Sequence, residues 1–156
     1  GMNGDLMVYL KKYFEQIVYA KVSQSASDAK MMGYLRRKDH IVMNVDELLF
    51  MAKKKAAALA DLSYFPPLPP SFPVAGKSGI ANFQTQLINL REGEYISDYE
   101  YWMGSKIAYA LCGGAIEEGT RVSEDWMLHL ERETIMEFTS REQTADRIRQ
   151  ILKIGE

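Results

Sequence analysis

Ser97-Asp-Tyr-Glu100 opens a stretch that runs through Tyr101-Trp-Met-Gly104 and Ala108-Tyr-Ala-Leu-Cys112 to Gly113-Gly114. Serine followed three residues later by glutamate is a capping box, in which each residue satisfies an amide that a first helical turn leaves open. Behind it, Tyr99, Tyr101, Trp102, Met103, Ile107, Tyr109 and Leu111 occupy most of the circumference. A helix apolar on nearly all sides is covered on nearly all sides. This segment therefore demands other helices around it. Gly104, Ala108 and Cys112, four apart, form a small-residue strip along which a partner can approach closely. The two glycines then stop the helix.

Toward the C-terminus, Ser123 is placed to cap a second helix, with Glu124 and Asp125 at the positive end of its dipole. Met127, Leu130, Thr134 and Phe138 make its inner stripe, widened by Trp126 and Ile135. Ser140-Arg-Glu-Gln143 predicts another capping box. Ala145, Ile148, Ile151 and Leu152 form the apolar face of that last helix, and Gly155 ends it. Toward the N-terminus, Ser78 begins a helix with Ile80, Phe83, Leu87 and Leu90 on one side and Gly93 as its stop.

All five prolines fall between Tyr64 and Gly76. Proline removes backbone donors and disfavours helix in the residue before it, so this is the chain's one clear break. Tyr64, Phe65, Leu68 and Phe72 suggest that it lies against a surface. A packed connector fits this better than a ligand for a proline-binding module. Ahead of it, Asn44-Val-Asp-Glu47 predicts a capping box and a helix to about Leu62, with Leu48, Leu49, Ala52, Ala56, Leu59 and Ala60 on one face. His40-Ile-Val-Met43 is the one good strand candidate. Ser25 to Gly33 reads as a short helix, and Asp5 as the N-cap of a helix to Ala20 with Leu6, Leu10, Tyr13, Phe14, Ile17 and Val18 at helical spacing. The expected fold is mainly α: an irregular bundle of about six helices with at most one short strand. The expected segments are 1–63, a Pro-rich connector at 64–77, and a helical extension at 78–156.

The chain has 156 residues, 47% of them hydrophobic, and a net charge of -2. That suffices for a core and gives no basic face for nucleic acid. A single cysteine excludes an intrachain disulfide and fits a reducing compartment. No apolar run approaches the ~20 residues of a membrane helix, and no basic leader segment is visible. Gly1 before Met2 reads as a remnant of tag removal and the chain as a piece cut from a longer protein.

Candidate chemistry is sparse. His129 and Glu133 are an i, i+4 pair, two ligands at most, where a zinc site needs more. His40 reads as a turn residue. Glu131 and Glu133 point about 100° per residue apart along a helix and do not converge on one bond; an ion-pair network holding the last two helices is the better reading. Cys112 reads as a small core residue. Gly76-Lys-Ser-Gly79 carries the triplet of a phosphate loop without its earlier glycine or a preceding strand. No catalytic residue and no metal ligand is assigned.

Two parts of the chain resemble one family. Ala20 to Ala29, Gly33-Tyr-Leu35 and the Asn44–Ala60 helix resemble the closing segment of a crotonase (enoyl-CoA hydratase) domain. Glu94-Tyr-Ile-Ser-Asp98, Ala108 to Gly114, Leu130-Glu-Arg-Glu133 and Thr144-x-x-Arg147-Ile148 resemble the C-terminal tail of fused 3-hydroxyacyl-CoA dehydrogenase/enoyl-CoA hydratase proteins. The resemblance spans roughly residues 10 to 155. It implies a non-catalytic piece of a β-oxidation enzyme, acting in packing, acyl-CoA pocket closure or oligomerisation. The family's catalytic residues and cofactor fingerprint would lie upstream, so NAD and acyl-CoA are implied for the parent polypeptide and no cofactor for this chain. Upstream domains are the implied partners, with a homo-oligomer as a further arrangement and the cytoplasm as the expected location. By analogy Arg36, Arg37, Lys38 and Lys53, with Lys54 and Lys55, become candidates for CoA phosphate contacts, against plain surface charge. The alternative function is an autonomous helical module binding acyl-CoA or another hydrophobic ligand, suggested by 9 Tyr, 6 Phe, 2 Trp and 9 Met.

Overall fold

Every residue from Tyr101 to Leu111 is buried or half-buried, as the all-round apolar pattern requires. The computed structural model describes residues 2–152. Its described elements are seven α-helices, one 3-10 turn and two short strands: α1 (Met2–Val18), α2 (Ala26–Met32), the 3-10 turn Val45–Glu47, α3 (Leu48–Asp61), β1 (Ser71–Pro73), α4 (Gly76–Glu92), α5 (Asp98–Leu111), β2 (Arg121–Ser123), α6 (Glu124–Thr139) and α7 (Glu142–Leu152). The mainly α bundle is thus observed. Two compact units make it up: residues up to Ala20 together with those from Pro69 onward, and Lys21–Leu68.

The first unit is built on the α4–α5 pair. Ala108 and Cys112 are fully buried beside Phe83 and Ala75. The small-residue strip works as a contact line. A Cβ added at Gly79 would lie 2.9 Å from Cys112 Sγ, and one at Gly104 2.8 Å from a Leu87 methyl. Burying a side chain such as Phe83 or Leu87 stabilises by about 1.5–3 kcal/mol relative to leaving it exposed. α1 joins this core by setting the Phe14 ring 4.5 Å, centroid to centroid, from Phe83. The Ser97 capping box forms in both directions. Gly113 and Gly114 follow the helix with φ of 84° and 85°.

The next turn brings the chain back across the start of α4. β2 pairs antiparallel with β1, Phe72 opposite Val122. Ser123 Oγ accepts from the Trp126 amide and starts α6, which buries Leu130 and Thr134. α7 is pinned from α5: Tyr99 Oη is 2.7 Å from Thr144 Oγ1, and the Arg141 guanidinium lies 3.8 Å from the centre of the Trp102 ring.

In the second unit, Ser25 caps α2 and Gly33, at φ 93°, ends it. Tyr34 Oη donates to the Lys21 carbonyl, and Lys30 Nζ to the carbonyls of Asp39 and Arg37. α3 buries none of its residues. Leu49 is 66% exposed and Phe50 56%.

Several expectations are corrected. His40–Met43 is not a strand: nothing pairs with it among the described residues, and the ladder forms instead between Ser71–Pro73 and Arg121–Ser123. Pro73 fits there because a two-stranded ladder is all edge. Asp5 lies inside α1, which begins at Met2. Asn44 caps the 3-10 turn by accepting from Asp46, without the reciprocal glutamate bond. Ser140 is the C-cap of α6 and donates to the Glu137 carbonyl, so it caps no further helix. α4 starts at Gly76, ahead of Ser78. Phe65 and Leu68 are 83% and 90% exposed; of the aromatic and leucine residues in the Pro-rich segment only Phe72 is half-buried. The expected stop at Gly155 lies outside the described residues.

Candidate functional site

α1, α4, α5 and α7 leave an open cleft of about 400 Å³ in the first unit. Its walls follow from the helix faces already given. Phe14, Ile17 and Val18 come from α1, Leu87 and Leu90 from α4, and Met103 with Ile107 from α5. Gly104 sits in the floor, where its missing side chain makes room for the Leu87 methyls. The polar groups are few: Lys11 and Glu15 on α1, Tyr19 just past its end, Gln86 on α4, Glu100 on α5 and Arg147 on α7. Apolar walls with a few convergent polar groups are the usual composition of a small-molecule site.

The rim charges are not equivalent. Glu100 Oε2 accepts from the Ser97 amide and hydroxyl, both at 2.9 Å. These bonds, with a smaller contribution from Arg147, hold its carboxyl below the usual carboxylate range. Glu100 is therefore an occupied anion. Neither Lys11 nor Arg147 takes part in an ion pair among the described residues. No histidine, serine or cysteine lines the cleft.

The residues singled out in the sequence are not brought together here. His129 Nε2 lies 3.3 Å from Glu133 Oε1, both half-exposed on α6, in a groove that Lys106 and Tyr109 of α5 also line. No group of three potential metal ligands occurs among the described residues. Glu133 is taken by His129, and α6 is tied to α5 by Lys106–Glu137 at 2.5 Å, where a network with α7 was expected. Gly76-Lys-Ser-Gly79 is the start of α4, but its amides are already used: Gly76 donates to the Cys112 carbonyl and Lys77 to that of Ile116. Lys77 Nζ pairs with Glu117 at 2.6 Å. The amides of Gly76, Lys77 and Gly79 and the Lys77 ammonium are thus already engaged. Burial pushes the Cys112 thiol up to about 12, which makes it an inert core residue. Arg36, Arg37, Lys38 and Lys53 are exposed in the second unit. The Arg36 amide donates to Asp39 Oδ2 at 2.7 Å, which fixes the loop backbone and leaves the basic side chains in solvent.

Comparison with known proteins gives the chain a context. It is similar to part of a dehydrogenase. Over 151 residues, 97% of its length, the chain is 34% identical to a protein of Bacillus subtilis (strain 168) named "Probable 3-hydroxyacyl-CoA dehydrogenase". The chain spans 19% of that relative's length. No protein-family model matches the chain. No solved structure matches it either. The Bacillus relative therefore carries about four-fifths of its sequence outside the matched part.

Lys11 and Arg147 were missed in the sequence. They lie at opposite ends of the chain, and only the fold of α1 and α7 around α5 sets them on one rim. The available signal was the amphipathic spacing of α1 and the Thr144-x-x-Arg147 segment.

Proposed function

We propose that this chain is the non-catalytic C-terminal helical part of a 3-hydroxyacyl-CoA dehydrogenase polypeptide of fatty-acid β-oxidation, carrying an enoyl-CoA hydratase part as well. The observation that carries this reading is the match of almost the whole chain to a fifth of a longer dehydrogenase. Its role is packing against the upstream domains, closing the acyl-CoA pocket or supporting oligomerisation. NAD and acyl-CoA belong to the parent polypeptide, and the setting is the cytoplasm.

The second unit supports a packing role. α3 has helical apolar patterning, yet Leu48, Leu49, Phe50 and Met51 are 44–66% exposed. An apolar patch of this kind on a single element marks a surface made to be covered. Its cover is the dehydrogenase and hydratase domains, and Arg36, Arg37, Lys38 and Lys53, exposed in the same unit, are the candidates for contact with CoA phosphates. Lys54 Nζ lies 4.5 Å from the centre of the Phe50 ring.

Hydrogen exchange tests this. In the chain alone, amides of α3 exchange fast. In the longer polypeptide the same amides are protected at least about tenfold, since covering a helix removes its local opening. Equal exchange in both contexts would rule the packing role out.

A further inference from the structure

We propose that Tyr64–Pro70 is a polyproline II strap that docks in an aromatic-lined groove on the remainder of the parent polypeptide. It rests on the reading above for the existence of that remainder, and adds a contact of another kind from the α3 face.

The sequence sets the shape of the strap. Pro66, Pro67, Pro69 and Pro70 have φ fixed near about -65° and no amide to donate. Phe65 and Leu68 each precede a proline, which pushes them to extended backbone. Four prolines in seven residues therefore favour the polyproline II path, with three residues per turn. On that path Phe65 and Leu68 share one edge, Pro66 and Pro69 a second, and Pro67 and Pro70 the third. The last two pairs are each a Pro-x-x-Pro, the spacing that grooves lined by aromatic rings receive.

The fold leaves the strap uncovered. Tyr64–Pro70 is neither helix nor strand, and each of its residues is exposed. Tyr64, Phe65 and Leu68 are 55%, 83% and 90% exposed. No backbone group from Phe65 to Pro69 is hydrogen-bonded among the described residues. A semi-rigid spacer needs only the prolines. Phe65 and Leu68 add large apolar surface, and contiguous surface of that kind marks a site of contact.

The chemistry and the length of chain outside the structure point to the partner. No charged residue stands between Asp61 and Lys77, so the strap is recognised by ring contacts and by hydrogen bonds to its free carbonyls, with little electrostatic contribution. The Bacillus relative carries about four-fifths of its sequence outside the matched part, and a partner in the same polypeptide suits a strap of this kind. A tether raises the effective concentration to the millimolar range, so a contact that is weak between separate molecules holds. The prolines lower the ordering cost further, because the bound shape is already set.

Cysteine labelling tests the proposal. Leu68→Cys keeps Phe65 and all four prolines. Its reaction with a maleimide is followed by mass spectrometry of the peptide that contains it, in the chain alone and in the full parent polypeptide, each verified as folded by circular dichroism. In the chain alone the position labels at the rate of a small free thiol. In the full polypeptide it labels at least about tenfold slower, because the thiol reacts only when the strap opens. Adding Pro67→Ala/Pro70→Ala restores fast labelling, whereas high salt leaves the slow rate unchanged. Equal rates in the two contexts would overturn the proposal and leave the strap to a separate protein. Slow labelling that survives the proline substitutions would overturn it as well, since the prolines would then not be what is recognised. Protected α3 amides with fast labelling at position 68 remove the strap alone; slow labelling with unprotected α3 amides removes the α3 packing role alone.

Discussion

The indole nitrogen of Trp126 donates to the carbonyl oxygen of Gly113 at 3.0 Å. A side chain in the first turn of α6 thereby satisfies a backbone acceptor just beyond the end of α5, where a helix leaves carbonyls open. The bond fixes the return of the chain between the two helices. Trp126→Phe keeps the ring and removes the donor. We expect a loss of about 1 kcal/mol, read as a lower urea midpoint at unchanged slope. An unchanged midpoint would show that water replaces the indole without loss.

Cys112 is fully buried against Gly79. Burial alone raises its thiol to about 12. The native protein is therefore expected to resist iodoacetamide at pH 8, and the same thiol to react fully in denaturant. The sign of the pH effect follows: a raised folded value means the neutral thiol is preferred in the fold, so its contribution is complete below the unfolded value of about 8.5. Above that pH the unfolded chain ionises first, and stability falls as pH rises toward 12. Rapid labelling at pH 8 without unfolding would contradict the placement.

Two turn positions respond in opposite directions. Gly113 has φ 84° and a Cβ there would come 2.5 Å from Val74 Cγ1. Gly113→Ala is expected to cost about 2 kcal/mol or more, combining left-handed strain with a clash. Gly93 is the C-cap that ends α4, as expected, with φ -83°, and the left-handed residue there is the next one, Glu94, at φ 59°. Glu94→Gly relieves strain of about 1–2 kcal/mol against a smaller entropic loss, for a net gain of about 0.5 kcal/mol. Thermal unfolding of both variants checks the pair of signs.

The Ser97–Glu100 box predicts a pH signature. Ser97→Ala removes the cap and is expected to cost about 1 kcal/mol near neutral pH. Glu100's carboxyl is held below its ordinary value in the fold, chiefly by Ser97. Its contribution is complete above that ordinary value, about pH 4.3, and fades as pH falls through the folded value. The difference between wild type and Ser97→Ala should therefore shrink in acid. A constant difference across that range would separate the cap from Glu100.

The first unit was largely legible because its signals are local. Ser97 and Ser123 each carry their cap three residues ahead, and Gly104, Ala108 and Cys112 repeat at the helical period that brings α4 close. The strand at His40–Met43 was misread because apolar β-branched residues satisfy propensity without a partner, while Ser71–Pro73 finds one in Arg121–Ser123 only through the fold. Ser140 misled because a serine with glutamine three positions on also occurs where a helix ends, and there its hydroxyl turns back to Glu137. The cleft was illegible for a different reason. Lys11 and Arg147 become neighbours of one cavity only after α1 and α7 pack beside α5. The apolar residues of α3 stand exposed in the second unit, and a periodic pattern alone does not say what covers such a face.

The proposed role leaves catalysis to the parent polypeptide. Its most direct test is absorbance at 340 nm with NAD and a 3-hydroxyacyl-CoA, using the folded chain at high concentration. The account predicts no NADH formation above the enzyme-free blank. Saturable turnover that scales with the concentration of the chain would contradict it.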